Sequence, residues 1–131
     1  MTAPVQAIVI NTVGETQTGI TTLPPDLNTL QTLAGGDIQA VHGYRTSEGH
    51  DDVAPRMTFF VNEEGKLHRL PPNGLATALW WHYNRDAIGR DFLVGTVIVV
   101  GGAGHSAALP VDVIDTYNRL VSGEYYTGFR Y

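Results

Sequence analysis

The sequence predicts a single α+β domain, with a mixed or mainly antiparallel sheet flanked by about three helices. Three observations predict it. Short β-branched runs recur along the chain, separated by glycine and proline. Between them lie three stretches with apolar residues at helical spacing, each opened by proline or asparagine. The chain is 131 residues long, with no internal repeat and no linker, which suits one core across residues 1–131.

Val5 to Ile10 (VQAIVI) is the first expected strand. Asn11 to Thr22 is rich in Gly and Thr and reads as a loop or hairpin. Pro24-Pro25 can open a helix, because proline fits the first turn. Leu27, Leu30, Leu33 and Ala34 then share one helical face, and Gly35-Gly36 ends it. Ile38 to Tyr44 is the second strand. Thr46 to Pro55 is polar loop, and Met57 to Asn62 (MTFFVN) is the third strand. Glu63-Glu64-Gly65 reads as a hairpin turn in which glycine supplies positive φ, with Lys66 to Leu70 returning as a strand.

Pro71-Pro72 breaks the sheet, and Asn73 is an N-cap. Leu75, Ala76, Leu79, Trp80 and Tyr83 make a helical face that frays near Asn84. Phe92 to Val100 (FLVGTVIVV) is a long apolar strand, expected at the sheet centre. Gly101 to Ser106 is a loop. Pro110 opens the third helix, with Val113, Ile114, Tyr117, Leu120 and Val121 as its stripe and Gly123 as its stop. The last eight residues, 124–131, hold four of the twelve aromatic side chains, so this tail needs a core or a partner to cover it.

Composition narrows the function. There is no cysteine, which excludes disulfides, thiolate zinc sites and a cysteine nucleophile. No apolar run approaches the roughly 18 residues of a membrane span, and the N-terminus lacks a signal-peptide pattern. A cytoplasmic protein is expected, with no membrane partner. The formal charge of −5 disfavours DNA or RNA, which attract a basic face. Lys66 is the single lysine, so arginine carries the remaining positive charge.

Several constellations carry chemistry, and each has a plainer reading beside it. Glu63-Glu64 could be an acid–base pair, but neighbours in a tight turn face water. The five histidines show no metal-ligand spacing, and His50-Asp51-Asp52 reads as solvated loop. Gly101-Gly102-Ala103-Gly104-His105-Ser106 sits between a strand and a helix, where glycine loops can hold phosphate, yet it lacks both the P-loop and the dinucleotide spacing. No GxSxG elbow accompanies Ser106. The helix start at Asn73, with Thr77 one turn on and Lys66 and Arg69 nearby, is either ordinary capping or an anion site.

One run goes further. Val61-Asn62-Glu63-Glu64-Gly65-Lys66-Leu67, then Leu70-Pro71, Asn73 and Ala76-Thr77, resembles the core motif of a phage-borne family of domains of unknown function catalogued as 3846. The apolar stretch Val94 to Val99 with its internal Gly95, and the upstream helix ending in Gly35-Gly36, fit the same pattern. The likeness covers roughly Val5 to Val100 and leaves out the aromatic tail. It implies a small accessory protein made in an infected bacterium. It further implies a sponge that sequesters a cyclic di- or oligonucleotide immune signal and blunts host defence without catalysis.

On that resemblance the expected ligand contacts are Asn62, Glu63, Glu64, Lys66, Arg69, Asn73, Thr77 and Trp80. Lys66, Arg69 and the helix start would meet phosphate, Asn62 and the two glutamates would meet base or ribose, and Trp80 would stack. No catalytic residue, cofactor or metal is expected. A homo-oligomer is expected, because small sequestering proteins build pockets between subunits. The competing readings are a module that binds and inhibits a host protein, and an enzyme acting on a nucleotide.

Overall fold

A strand buried at every position needs cover on both of its faces, and Val97–Gly101 is such a strand. The computed structural model, which describes residues 3–12, 19–46, 49–104 and 108–123, places it at the centre of one five-stranded sheet. The strands are β1 (Val5–Ile10), β2 (Gly19–Leu23), β3 (Ile38–Gly43), β4 (Met57–Asn62) and β5 (Val97–Gly101), in the order β2-β1-β5-β4-β3. Every adjacent pair is antiparallel. The helices are α1 (Leu27–Ala34), α2 (Gly74–Tyr83) and α3 (Val111–Ser122). The α+β expectation holds, and the sheet is antiparallel throughout.

The two-residue period of the strands divides the core. Ile8, Ile10, Phe59, Val61, Val97 and Val99 face α2 and α3. Ala7, Val9, Phe60, Ile98 and Val100 face Leu30 and Ala34 of α1. The sheet is therefore the middle layer of three.

Each helix starts and stops for a chemical reason. Asp26 caps α1 by accepting the Thr29 N–H at 2.8 Å, and Gly35 ends it in the left-handed conformation. Asn73 caps α2, accepting the Ala76 N–H at 3.1 Å. Gly123 ends α3, again left-handed. The α2 helix is buried nearly all round, from Ala76 to Trp81 and at Tyr83, because the sheet lies on one side and α3 on another. Leu27 and Val121 are exceptions to the expected stripes, at 61% and 57% exposed.

Three local expectations are corrected. Lys66 to Leu70 is not a returning strand. Residues 63–69 form a succession of turns, because Leu70 bonds back to Gly65 and His68 to Glu64. Gly65 does not supply positive φ, and within that turn Arg69 does, at φ 57°. Phe92 to Val100 is not one strand either, since Gly95 turns the chain at φ 70° and β5 begins only at Val97. For Asn11 to Thr22 the hairpin alternative holds, since Gly19–Leu23 is strand β2 and pairs antiparallel with β1. The aromatic tail, His105 and Ser106 lie outside the described residues.

Candidate functional site

The turn after β4 faces a second irregular segment, Asp91–Val94, and a cleft of about 250 Å³ lies between them. Val41, Val61 and Leu93 supply apolar lining, while Asn62 comes from the end of β4 and Glu63, Glu64 and Lys66 from the turn. The Lys66 ammonium crosses the gap. It pairs with the Asp91 carboxylate and sits 4.7 Å from the centre of the Phe92 ring. Both ionic partners are about half exposed, so the pair contributes ~1 kcal/mol or less. Burial acts to raise the Asp91 pKa, but hydrogen bonds from Lys66 and the Phe92 N–H outweigh it and hold the carboxyl below its usual value.

The expected site residues divide into two groups. Asn62, Glu63, Glu64 and Lys66 share this cleft. Glu63 and Glu64 are exposed, and so is Arg69 at the end of the same turn. Asn62 is largely committed: its amide donates to the Ala34 carbonyl at 3.1 Å, and its oxygen accepts the Glu64 N–H at 2.9 Å.

Asn73, Thr77 and Trp80 lie inside the protein, at 2%, 7% and 5% exposed. The Asn73 amide donates to the carbonyls of Ile10 and Gly95, at 2.9 and 2.8 Å, while its oxygen caps α2. The Thr77 hydroxyl accepts the Leu93 N–H at 2.9 Å. Trp80 Nε1 is buried with no hydrogen-bond partner. These three side chains offer no surface to a ligand in this conformation. Burial is the reason, and it follows from α2 being enclosed rather than amphipathic.

What Asn73 and Thr77 do is build the far wall. The Asn73 N–H donates to the Leu93 carbonyl at 2.8 Å, and Trp81 Nε1 donates to the Asp91 carbonyl at 2.8 Å. With Thr77 they fix Asp91–Val94 in place. Two glycines let the walls close. A side chain at Gly65 would stand 2.7 Å from Val94 Cγ2, and one at Gly95 would stand 2.9 Å from Leu70 Cδ1. The spacing of the motif therefore encodes a knot of main chain, with the cleft as its opening.

Over residues 5–122 the sequence matches the family model described as a domain of unknown function, DUF3846. The chain belongs to that family. No curated protein and no solved structure matches it. In this DUF3846 chain, sequence reasoning missed Gln39, Asp91 and Phe92 as cleft residues. Gln39 lies on a neighbouring strand and had no local signal. Asp91-Phe92 sits in a stretch that reads as apolar strand, and the exposure of Phe92, 46%, is set by the fold.

The glycine loop offers no cradle among its described residues. Gly104 packs against Phe60 and Thr58, and the Gly102 carbonyl accepts the Thr58 hydroxyl at 2.8 Å. Thr58 has one hydroxyl proton and spends it there. His42 Nδ1, 2.9 Å from the same oxygen, must therefore be the donor in that contact. No group of three or more His, Asp or Glu among the described residues could hold a metal. No helix among them is long and apolar enough to cross a membrane.

Proposed function

We propose that this DUF3846 protein is a phage accessory protein of the infected bacterial cytoplasm. It binds a cyclic di- or oligonucleotide immune signal and sequesters it without catalysis. One observation carries the reading: four residues of the motif, Asn62, Glu63, Glu64 and Lys66, line a single cleft together with Phe92 and the apolar side chains of Val41, Val61 and Leu93. A nucleobase fits that chemistry. Its face can lie on Phe92 in place of the Lys66 ammonium, and its N–H edge can donate to Glu63, Glu64 or Gln39.

Phosphate does not belong inside, because Glu63 and Glu64 would repel it and the Lys66 ammonium is already paired with Asp91. It belongs outside, toward Arg69. That side chain sits on a left-handed backbone that costs a non-glycine residue ~1 kcal/mol or more, which a ligand-contacting role would justify. The cleft, at about 250 Å³, is smaller than the ~300–1,000 Å³ of a complete small-molecule site. It suits one base. A ligand with two or more bases then needs a second cleft from another subunit, and a homo-oligomer supplies it.

The test is thermal unfolding against a panel of cyclic nucleotides and their linear forms. A ligand at ~100 times its Kd should raise Tm on the order of 10 °C. Phe92→Ala and Arg69→Ala should shrink that shift, and heat denaturation should return the ligand intact. Altered ligand would point to an enzyme instead. A panel with no shift would sink the reading and favour the second one, a host-protein inhibitor. That alternative rests on Leu67, which is 74% exposed at the cleft edge beside Phe92, and a pull-down from host lysate would examine it.

A further inference from the structure

β2 is one of two edge strands. One side of its backbone pairs regularly with β1, from Val5 opposite Leu23 to Val9 opposite Gly19. No described residue hydrogen-bonds to the groups on its other side. Soluble proteins usually guard such an edge with a charge, a proline, a bulge or a covering element. Gly19-Ile20-Thr21-Thr22-Leu23 has no charge, no proline and no bulge.

The opposite edge is treated differently. At β3, Asn84 Nδ2 donates to the His42 carbonyl at 3.3 Å, and the exposed carboxylate of Asp37 precedes the strand.

Among the described residues, the outer face of β2 is uncovered and its groove is uncharged. Ile20, Thr21 and Thr22 are exposed. Beside them lies a groove of about 640 Å³, walled by β2 and by Asn28, Thr29, Thr32 and Leu33 of α1. No charged side chain among the described residues lines it, although the chain carries −5 overall. An acidic protein meets a second copy of itself most favourably where neither copy brings a carboxylate.

We propose that β2 is a self-association edge, through which two copies pair antiparallel about a two-fold axis at Thr21. This axis uses all five residues of the strand. It sets Thr21 opposite Thr21 of the partner subunit, and Ile20 opposite Thr22 of the partner subunit. Each contact then occurs twice, as an isologous interface requires. The sheet runs on through both subunits, and its β-branched cross-strand pairs are favourable ones. The groove leaves room on the α1 side for the incoming strand's side chains. This names the surface for the homo-oligomer of the proposed function, and it needs no nucleotide.

Sedimentation of the full chain between micromolar and millimolar concentration tests it. Wild type should approach twice 14.2 kDa as concentration rises. Ile20→Lys with Thr22→Lys should remain a monomer with an unchanged circular dichroism spectrum, since like charges would lie directly opposite. Mixing that variant with Ile20→Glu, Thr22→Glu should restore the dimer, which a misfolded variant could not do. A wild-type monomer throughout would overturn the proposal and any homo-oligomer with it. A dimer that survives the double lysine change would overturn only this edge. A wild-type monomer would also remove the second cleft that a ligand with two or more bases needs, whereas a surviving dimer would leave the proposed function untouched; binding itself is read only by the thermal panel, so the two failures can be told apart.

Discussion

Asn73 shows how much one buried side chain can organise. Its amide ties the end of β1 to Gly95, and its oxygen starts α2. Asn73→Ala removes a cap and leaves two carbonyls without that donor. We expect a loss of about 3 kcal/mol, read as a lower urea midpoint. That change is therefore unsuited to testing ligand contact. Gly65 works by absence. A methyl there would meet Val94 Cγ2, so Gly65→Ala should cost ~1–3 kcal/mol, and Val94→Ala in the same chain should recover part of it. An additive double mutant would show that the close approach is not the cause.

At the scale of elements, α2 and the loops around it are joined by polar contacts within an apolar layer. Arg56 makes a bidentate pair with Asp112 at 2.7 and 3.1 Å and also donates to the Arg45 carbonyl at 2.9 Å. The bonds to Asp112 raise its pKa, against the effect of burial. The Tyr83 hydroxyl donates to the Asp112 carbonyl at 3.0 Å and so accepts from the Thr116 hydroxyl at 2.8 Å, and burial pushes its pKa up.

His82 on the same helix is the acid-sensitive group. Burial lowers its pKa, the charge of Arg45 lowers it further, and Asp112 opposes both. The unfolded chain takes up a proton near pH 6.5, but the folded chain resists until lower pH. Stability should therefore fall as pH drops below about 6.5, and level off once the folded pKa is passed. His82→Gln should flatten that slope in urea titrations from pH 8 to 5, and an unchanged slope would exclude His82 as its source.

Across the whole molecule the two apolar layers are unequal. Among the described residues, nineteen buried ones cluster on the α2–α3 side and eight on the α1 side. The smaller layer should open first. Native-state hydrogen exchange should find β5 and β4 exchanging only with global unfolding, while α1 exchanges through a lower-energy opening. Equal protection of α1 and β5 would mean that the sheet couples both layers fully. Leu30→Ala should cost ~2–4 kcal/mol and lower the α1 opening energy most.

The sequence by itself determined the layers and most of the boundaries. The β-branched runs at Val5–Ile10 and Met57–Asn62, the Asn73 cap and the Gly35 and Gly123 stops are local signals, and local chemistry suffices to read them. Four of the twelve residues that line the candidate cleft were legible for the same reason, because Asn62 to Lys66 adjoin in the sequence. The rest was decided by tertiary structure. Whether Asn73, Thr77 and Trp80 face ligand or core depends on α2 being enclosed by the sheet and α3, and no spacing within α2 carries that information. Gly65 looks like a turn glycine until Val94 arrives from 29 residues away to require the space. Gln39 and Phe92 join the cleft only because β3 and the segment before β5 are brought to the same end of the sheet. Burial and long-range approach belong to the folded whole, and a local pattern cannot contain them.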